Sequence, residues 1–113
     1  MLEIAVKAAD SKRAEDIIAL EVKEISLLAD YFLICSANTD RQISAIGDAI
    51  IEEEQKAKVQ IRRVEGKDGG KWILIDLGDV IVHVFSTSER AFYNLEKLWS
   101  DAPLVAISDW IDE

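Results

Sequence analysis

The stretch WILIDLGDVIVHVF at positions 72–85 decides the fold more than any other part of the chain. Residues 72–75 are apolar and follow a glycine-rich segment, which predicts a strand. Leu77-Gly78 then favours a tight hairpin loop. Residues 80–85 are apolar on both strand faces, so they predict a central strand that is covered on both sides.

The segments on either side complete the pattern of an α/β (α+β) protein. Thr39 with Gln42, and Ser86 with Glu89, have the spacing of a capping box, which predicts that a helix begins at each pair. Periodicity predicts strands at 18–22, 31–37 and 59–64, and helices at 2–9, 39–58 and 87–100. The last helix is expected to bury Phe92, Leu95 and Trp99. The order predicts a mixed sheet of about five strands with helices packed against it.

Length and charge limit the possible functions. A chain of 113 residues predicts one domain, expected at 1–103, with a C-terminal tail at 104–113. The apolar residues of this tail either fold back on the domain, which is favoured, or meet another subunit. The net charge of −9 opposes binding to bare nucleic acid and suits a basic protein partner, although it also serves solubility. A single cysteine and the lack of an apolar run of about 20 residues predict a cytosolic protein without a membrane span.

Asp76, Asp79 and His83 are the main candidates for catalysis or metal binding. Two carboxylates and an imidazole could hold a divalent ion or transfer protons. The alternative is structural: both Asp residues flank a tight turn, and His83 lies in a strand expected to be central. The structural interpretation is favoured, and the same holds for Cys35, which lies inside an apolar strand.

Trp72, Arg90 and Tyr93 form a different kind of candidate. Trp, Tyr and Arg are the residues that most often anchor protein interfaces. Trp72 begins a strand directly after a glycine-rich turn, where full burial is less expected. The three side chains could therefore form an interface, or the two aromatic residues could belong to the core; the sequence favours neither.

Two segments resemble the Iojap or ribosomal silencing factor family. The first is AEDIIALEVKEISLLADYFLICSA at 14–37; the second spans 65–99 and includes Glu65-Gly66, WILIDLGDVIVHVF, Arg90 and FYNLEKLW. The resemblance implies a fold similar to nucleotidyltransferases and repression of translation under nutrient limitation. Family members bind the large ribosomal subunit through its protein number fourteen, which prevents the small subunit from joining. They also form homodimers, and no cofactor is implied.

The resemblance also suggests where a partner would bind. It implies that Trp72, Asp79, His83, Arg90 and Tyr93 lie on or support the docking face, with Glu65 and Asp76 also facing basic side chains. The chain has no Gly-Ser dipeptide, which nucleotidyltransferases use at the metal site, so no catalysis is expected. The alternatives are a magnesium-dependent enzyme using Asp76, Asp79 and His83, and an adaptor for another basic protein. The expected location is the bacterial cytoplasm, or an organelle.

Overall fold

The computed structural model describes residues 1–111, and its centre is a five-stranded sheet. The strands are β1 (Glu15–Glu21), β2 (Tyr31–Ala37), β3 (Arg63–Glu65), β4 (Trp72–Asp76) and β5 (Val80–Ser86). Their spatial order is β1-β2-β5-β4-β3. Only β2 and β5 run parallel; the other neighbouring strands are antiparallel. The predicted mixed sheet of about five strands is confirmed.

Helices α1 (Leu2–Ser11) and α2 (Asp40–Lys56) cover one face of the sheet. As predicted, Thr39 caps α2, because its hydroxyl accepts a hydrogen bond from the Gln42 backbone N–H at 3.1 Å. The Gln42 side chain donates to the carbonyls of Lys12 and Arg13 at 3.2 and 2.9 Å. It therefore ties the start of α2 to the turn before β1, a contact that the capping-box pattern did not predict.

The last predicted helix is in fact two helices on the opposite face, α3 (Thr87–Tyr93) and α4 (Leu95–Leu98). Asn94 separates them in the left-handed conformation, with φ of 47°, which Asn tolerates better than most residues. The break changes the direction of the chain. A single helical period therefore does not predict which side chains of residues 87–98 are buried. Leu95 and Trp99 pack against the sheet as predicted, but Phe92 is 79% exposed, and the prediction for it was wrong.

The edges of the sheet also differ from the prediction. β3 begins at Arg63 instead of residue 59, because its partner β4 ends at Asp76, opposite Arg63, and leaves the earlier residues no strand to pair with. β1 begins three residues earlier than predicted and contains an irregularity between Glu15 and Ile18. Neither difference changes the topology.

The C-terminal segment folds back on the sheet, as expected for the described part of the tail. The Glu21 N–H donates to the Pro103 carbonyl and the Val105 N–H to the Ala19 carbonyl, both at 2.9 Å, so the segment extends the β1 edge. Ile107 is buried in the core beneath α1 and α2. Residues 112 and 113 lie outside the described part of the chain, and the division at 103 stays a prediction.

Candidate docking surface

Four apolar side chains on the second face of the sheet form a continuous exposed patch, which we call the aromatic surface: Trp72, Leu74, Phe92 and Tyr93. The ring of Tyr93 lies 4.7 Å from that of Trp72, and the ring of Phe92 meets that of Tyr93 edge-on at 5.1 Å. Tyr93 is 45% exposed, and Trp72 and Leu74 are partly exposed. Aromatic side chains grouped in this way at a surface are typical of a protein interface.

The aromatic surface is exposed because the helices on this face of the sheet do not cover all of its strands. Helices α3 and α4 lie over β2 and β5, where Trp99 packs against Phe32 at 5.2 Å. Beyond them, towards β3 and β4, an open and mostly apolar hollow is lined by Trp72, Leu74 and the backbone of Glu65-Gly66. Trp72 and Leu74, the two β4 residues that line this hollow, are therefore accessible to a partner.

Gly66 shapes the rim of this hollow. Its φ is +87°, and a Cβ added there would come within 1.9 Å of the Trp72 carbonyl oxygen. Only glycine fits such a close approach of two backbones. The strand that carries Trp72 is therefore held directly against the turn that precedes it.

His83 lies beneath the aromatic surface and supports it. The side chain is only 6% exposed, and its Nδ1 accepts a hydrogen bond from Trp72 Nε1–H at 3.2 Å. Burial lowers the pKa of His83 to about 4, so the imidazole is neutral near pH 7 and carries its proton on Nε2. His83 is buried, as the favoured interpretation expected, and its hydrogen bond holds the indole of Trp72 in place.

The two aspartates are placed as turn residues. Asp76 Oδ1 accepts a hydrogen bond from the Gly78 N–H at 2.9 Å, and the Asp79 carbonyl accepts from the N–H groups of Asp30 and Tyr31. Within residues 1–111, no group of three His, Cys, Asp or Glu side chains is arranged to hold a metal ion. Asp79 is exposed at the end of the sheet, and Asp76 lies on the same sheet face as Trp72.

Glu65 and Arg90 have different surroundings. Glu65 is exposed beside the hollow and forms an ion pair with Arg63 at 3.1 Å. The Arg90 side chain is only 12% exposed and binds Glu96, Ser36 and the Glu15 backbone. Glu65 is therefore accessible to a partner, whereas Arg90 is engaged within the domain.

Three further residues complete the comparison with the sequence. Cys35 is fully buried, as expected for a residue inside an apolar strand, and burial raises the pKa of its thiol to about 12. Leu74 and Phe92 are the members of the aromatic surface that sequence reasoning missed, and Phe92 is the more exposed of the two. The only signal for the exposure of Phe92 was Asn94 two residues later, because Asn is among the residues that most often adopt positive φ.

Fold and surface together define a class: an α+β domain that presents an exposed aromatic patch on one sheet face. Comparison with known proteins gives the family. The model of the family described as ribosomal silencing factor during starvation matches residues 1–113. This chain therefore belongs to the ribosomal silencing factor family.

Relatives across bacteria and organelles agree with this assignment. A ribosomal silencing factor of Bacillus subtilis is 55% identical over 92% of this chain and 88% of its own length. A crystal structure from Bacillus halodurans superimposes with a TM-score of 0.83 at 50% identity, covering 93% of this chain and 95% of the other. A mouse protein named mitochondrial assembly of ribosomal large subunit protein 1 is 28% identical over 88% of this chain, which spans about half of that protein (45%).

Among residues 1–111, no helix has both the length and the apolar character needed to cross a membrane. The relatives include bacterial proteins and the mouse mitochondrial one.

Proposed function

We propose that this chain binds the large ribosomal subunit through its protein number fourteen and thereby prevents the small subunit from joining. The aromatic surface is the observation that carries the proposal. It is continuous, lies beside an open apolar hollow and includes Phe92, an aromatic side chain that is 79% exposed. Membership of the silencing factor family and the name of the mouse relative support a partner on the large subunit.

Charge supports a basic protein as the partner. The chain carries a net charge of −9, and Glu65 is exposed beside the hollow that the aromatic surface borders. Asp79 is also exposed, but it lies at the other end of β4, in the turn before β5. A Lys or Arg side chain of the partner could lay its aliphatic part on Trp72 and place its charge at Glu65. The phosphates of ribosomal RNA would repel the same acidic chain from other positions.

The proposed mechanism is steric and needs no reaction. A folded domain that occupies the subunit-joining face of the large subunit keeps the small subunit away for as long as it stays bound. Binding to a preformed surface favours slow dissociation, because few side chains have to become ordered. The same proposal places the chain in the bacterial cytoplasm, and it includes a homodimer in the free state, which sedimentation velocity would detect.

The experiment is sedimentation of purified bacterial subunits mixed with increasing amounts of the protein. We expect the fraction of joined ribosomes to fall and the protein to sediment with large subunits. The double variant Trp72→Ala, Tyr93→Ala should weaken binding by at least about 30-fold, the effect of losing one interface hot spot, and should leave the subunits joined. Leu104→Ala is the matched control, because Leu104 is 72% exposed on the opposite edge of the sheet.

Two outcomes would contradict the proposal. Subunits that associate equally well with and without the protein would exclude steric blocking. If the double variant sediments with large subunits as the unmodified chain does, the aromatic surface is not the docking site. A pull-down with isolated protein number fourteen then tests the named partner, since binding to large subunits without binding to this protein would place the contact elsewhere.

A further inference from the structure

Helix α3 has little packing to hold it in place. It has only seven residues, none of the residues 87–93 is buried, and it ends at the left-handed Asn94. A helix of this length is unstable by itself in water. Yet α3 carries Phe92 and Tyr93, half of the aromatic surface, so something other than a buried stripe must fix its position.

The Thr87 hydroxyl attaches the start of α3 by donating to Asn38 Oδ1 at 2.7 Å, and Arg90 attaches the part that carries Phe92 and Tyr93. The Arg90 Nε–H donates to Glu96 Oε1 at 2.7 Å, which bridges α3 and α4 across the break at Asn94. Its Nη1 donates to Ser36 Oγ in β2 at 3.0 Å and to the Glu15 carbonyl in β1 at 3.3 Å. One guanidinium thus connects two helices to two strands, and its planar set of donors suits such a branched contact better than a lysine ammonium does.

The attachment bears on Tyr93 through helix geometry. Arg90 and Tyr93 are three residues apart, so fixing one in space fixes the turn that carries the other. Tyr93 lies 4.7 Å from the ring of Trp72 and 6.4 Å from that of Phe85. Without the contacts of Arg90, the C-terminal part of α3 could move away from the sheet and separate Tyr93 and Phe92 from Trp72.

We infer that Arg90 is a positioning residue that holds α3 against β1 and β2, so that the aromatic surface is already assembled before a partner binds. This inference rests on the proposed function. Within that function, it assigns Arg90 the support of the docking surface instead of a contact with the partner. Arg90 acts through Tyr93 and does not contact the partner, because its side chain is engaged within the domain and only 12% exposed. Its contribution to affinity is preorganisation.

A double-mutant cycle on the full chain tests the inference, with affinity for purified large subunits as the measurement. Arg90→Met should weaken binding by about tenfold in the unmodified chain, and by less than about twofold when Tyr93→Ala is already present, as expected for coupled residues. Arg90→Lys should recover only part of the loss, since an ammonium cannot reproduce the branched contact. Lys97→Met, which removes the same charge from an exposed position in α4, should bind normally.

The affinities are measured well below the unfolding temperature of every variant. Circular dichroism measures these unfolding temperatures. If Arg90→Met lowers the unfolding temperature but leaves the affinity unchanged, Arg90 is merely structural and the inference is wrong. If its effect is the same with and without Tyr93, Arg90 contacts the partner directly, which also overturns it. If Tyr93→Ala alone leaves binding unchanged, the proposed docking surface itself fails, a result distinct from the other two.

Discussion

Glu54 is the residue whose replacement should have the clearest effect on stability. It lies on the inner stripe of α2, one and two turns after Ile50 and Ile46, and it is fully buried. Within residues 1–111, neither carboxylate oxygen has a hydrogen-bond partner. Burial raises the pKa of this carboxyl from 4.5 to about 7, and the Met1 amino group offsets part of the effect. The folded protein therefore favours the protonated form.

The sign of the pH dependence follows from this shift. A group whose pKa is higher in the folded state contributes full stability below its unfolded pKa and loses it as the pH rises through the folded value. For Glu54 the loss occurs between about pH 4.5 and pH 7. A shift of this size corresponds to at most about 3 kcal/mol, a large part of the 5–15 kcal/mol that stabilises an ordinary domain.

Glu54→Gln keeps the size and shape of the side chain but removes its ionisation. At pH 4.5 the variant and the unmodified chain should differ little in stability, because both side chains are neutral in the folded state and only half of the unfolded Glu54 is ionised. At pH 8 the variant should be more stable by up to about 3 kcal/mol, or roughly 10 °C in unfolding temperature for a domain of this size. Urea unfolding at half-unit steps from pH 4.5 to pH 8 measures the difference.

Glu52→Gln is the matched control, because Glu52 lies on the exposed side of the same helix in an ion pair with Lys56. Exposed pairs of this kind contribute about 0.5 kcal/mol, so the control should show little dependence on pH. The reasoning is refuted if the stability curves of Glu54→Gln and the unmodified chain stay parallel from pH 4.5 to pH 8. It is also refuted if the variant is the less stable protein at pH 8.

Two further predictions concern the support of the aromatic surface. His83→Phe keeps a ring in the core but removes the acceptor for Trp72. Burial lowers the pKa of His83 from 6.5 to about 4, so the stability of the unmodified chain relative to the variant should fall as the pH falls through this range, as measured by urea unfolding. Gly66→Ala should lower the free energy of unfolding by about 1–3 kcal/mol, because the added Cβ would meet the Trp72 carbonyl at a positive φ; an unchanged unfolding temperature would contradict this.

The titrations of Glu54 and His83 have opposite effects on stability. This affects the pH dependence that is measured for the unmodified chain. Between about pH 4.5 and pH 6.5, Glu54 loses stability as the pH rises, whereas His83 gains it. The stability of the unmodified chain should therefore change little across this range as far as these two groups determine it. Each effect is visible only as a difference between a variant and the unmodified chain, which is why both predictions are stated as differences.

The central strands could be predicted from the sequence because their information is local. β2 and β5 are short apolar runs with polar residues at their ends, and such runs predict buried strands whatever surrounds them. The Thr39 and Ser86 caps are equally local, since each hydroxyl binds a backbone N–H three residues later. The family resemblance rests on the same segments.

The rest depends on contacts between distant residues. Asn94 permits a left-handed conformation but does not require it, so the break that exposes Phe92 is set by packing on the sheet. The partners of Arg90, Ser36 and Glu15, lie 54 and 75 residues away along the chain. Glu54 has the helical spacing of a core residue and the chemistry of a surface residue, and the sequence gives no means of choosing between them.

The position of the aromatic surface follows from how much cover the chain provides for its sheet. Helices α1 and α2 bury the central strands on one face, whereas the seven and four residues of α3 and α4 reach only over β2 and β5 on the other. The apolar side chains at β4 are then left open, at a cost in stability that a bound partner would remove by burying them. Because His83 and Arg90 fix this open part from beneath and beside it, a partner meets a rigid apolar surface. Burial of that surface can then contribute to affinity with little loss of conformational entropy, which suits a domain proposed to act by staying bound.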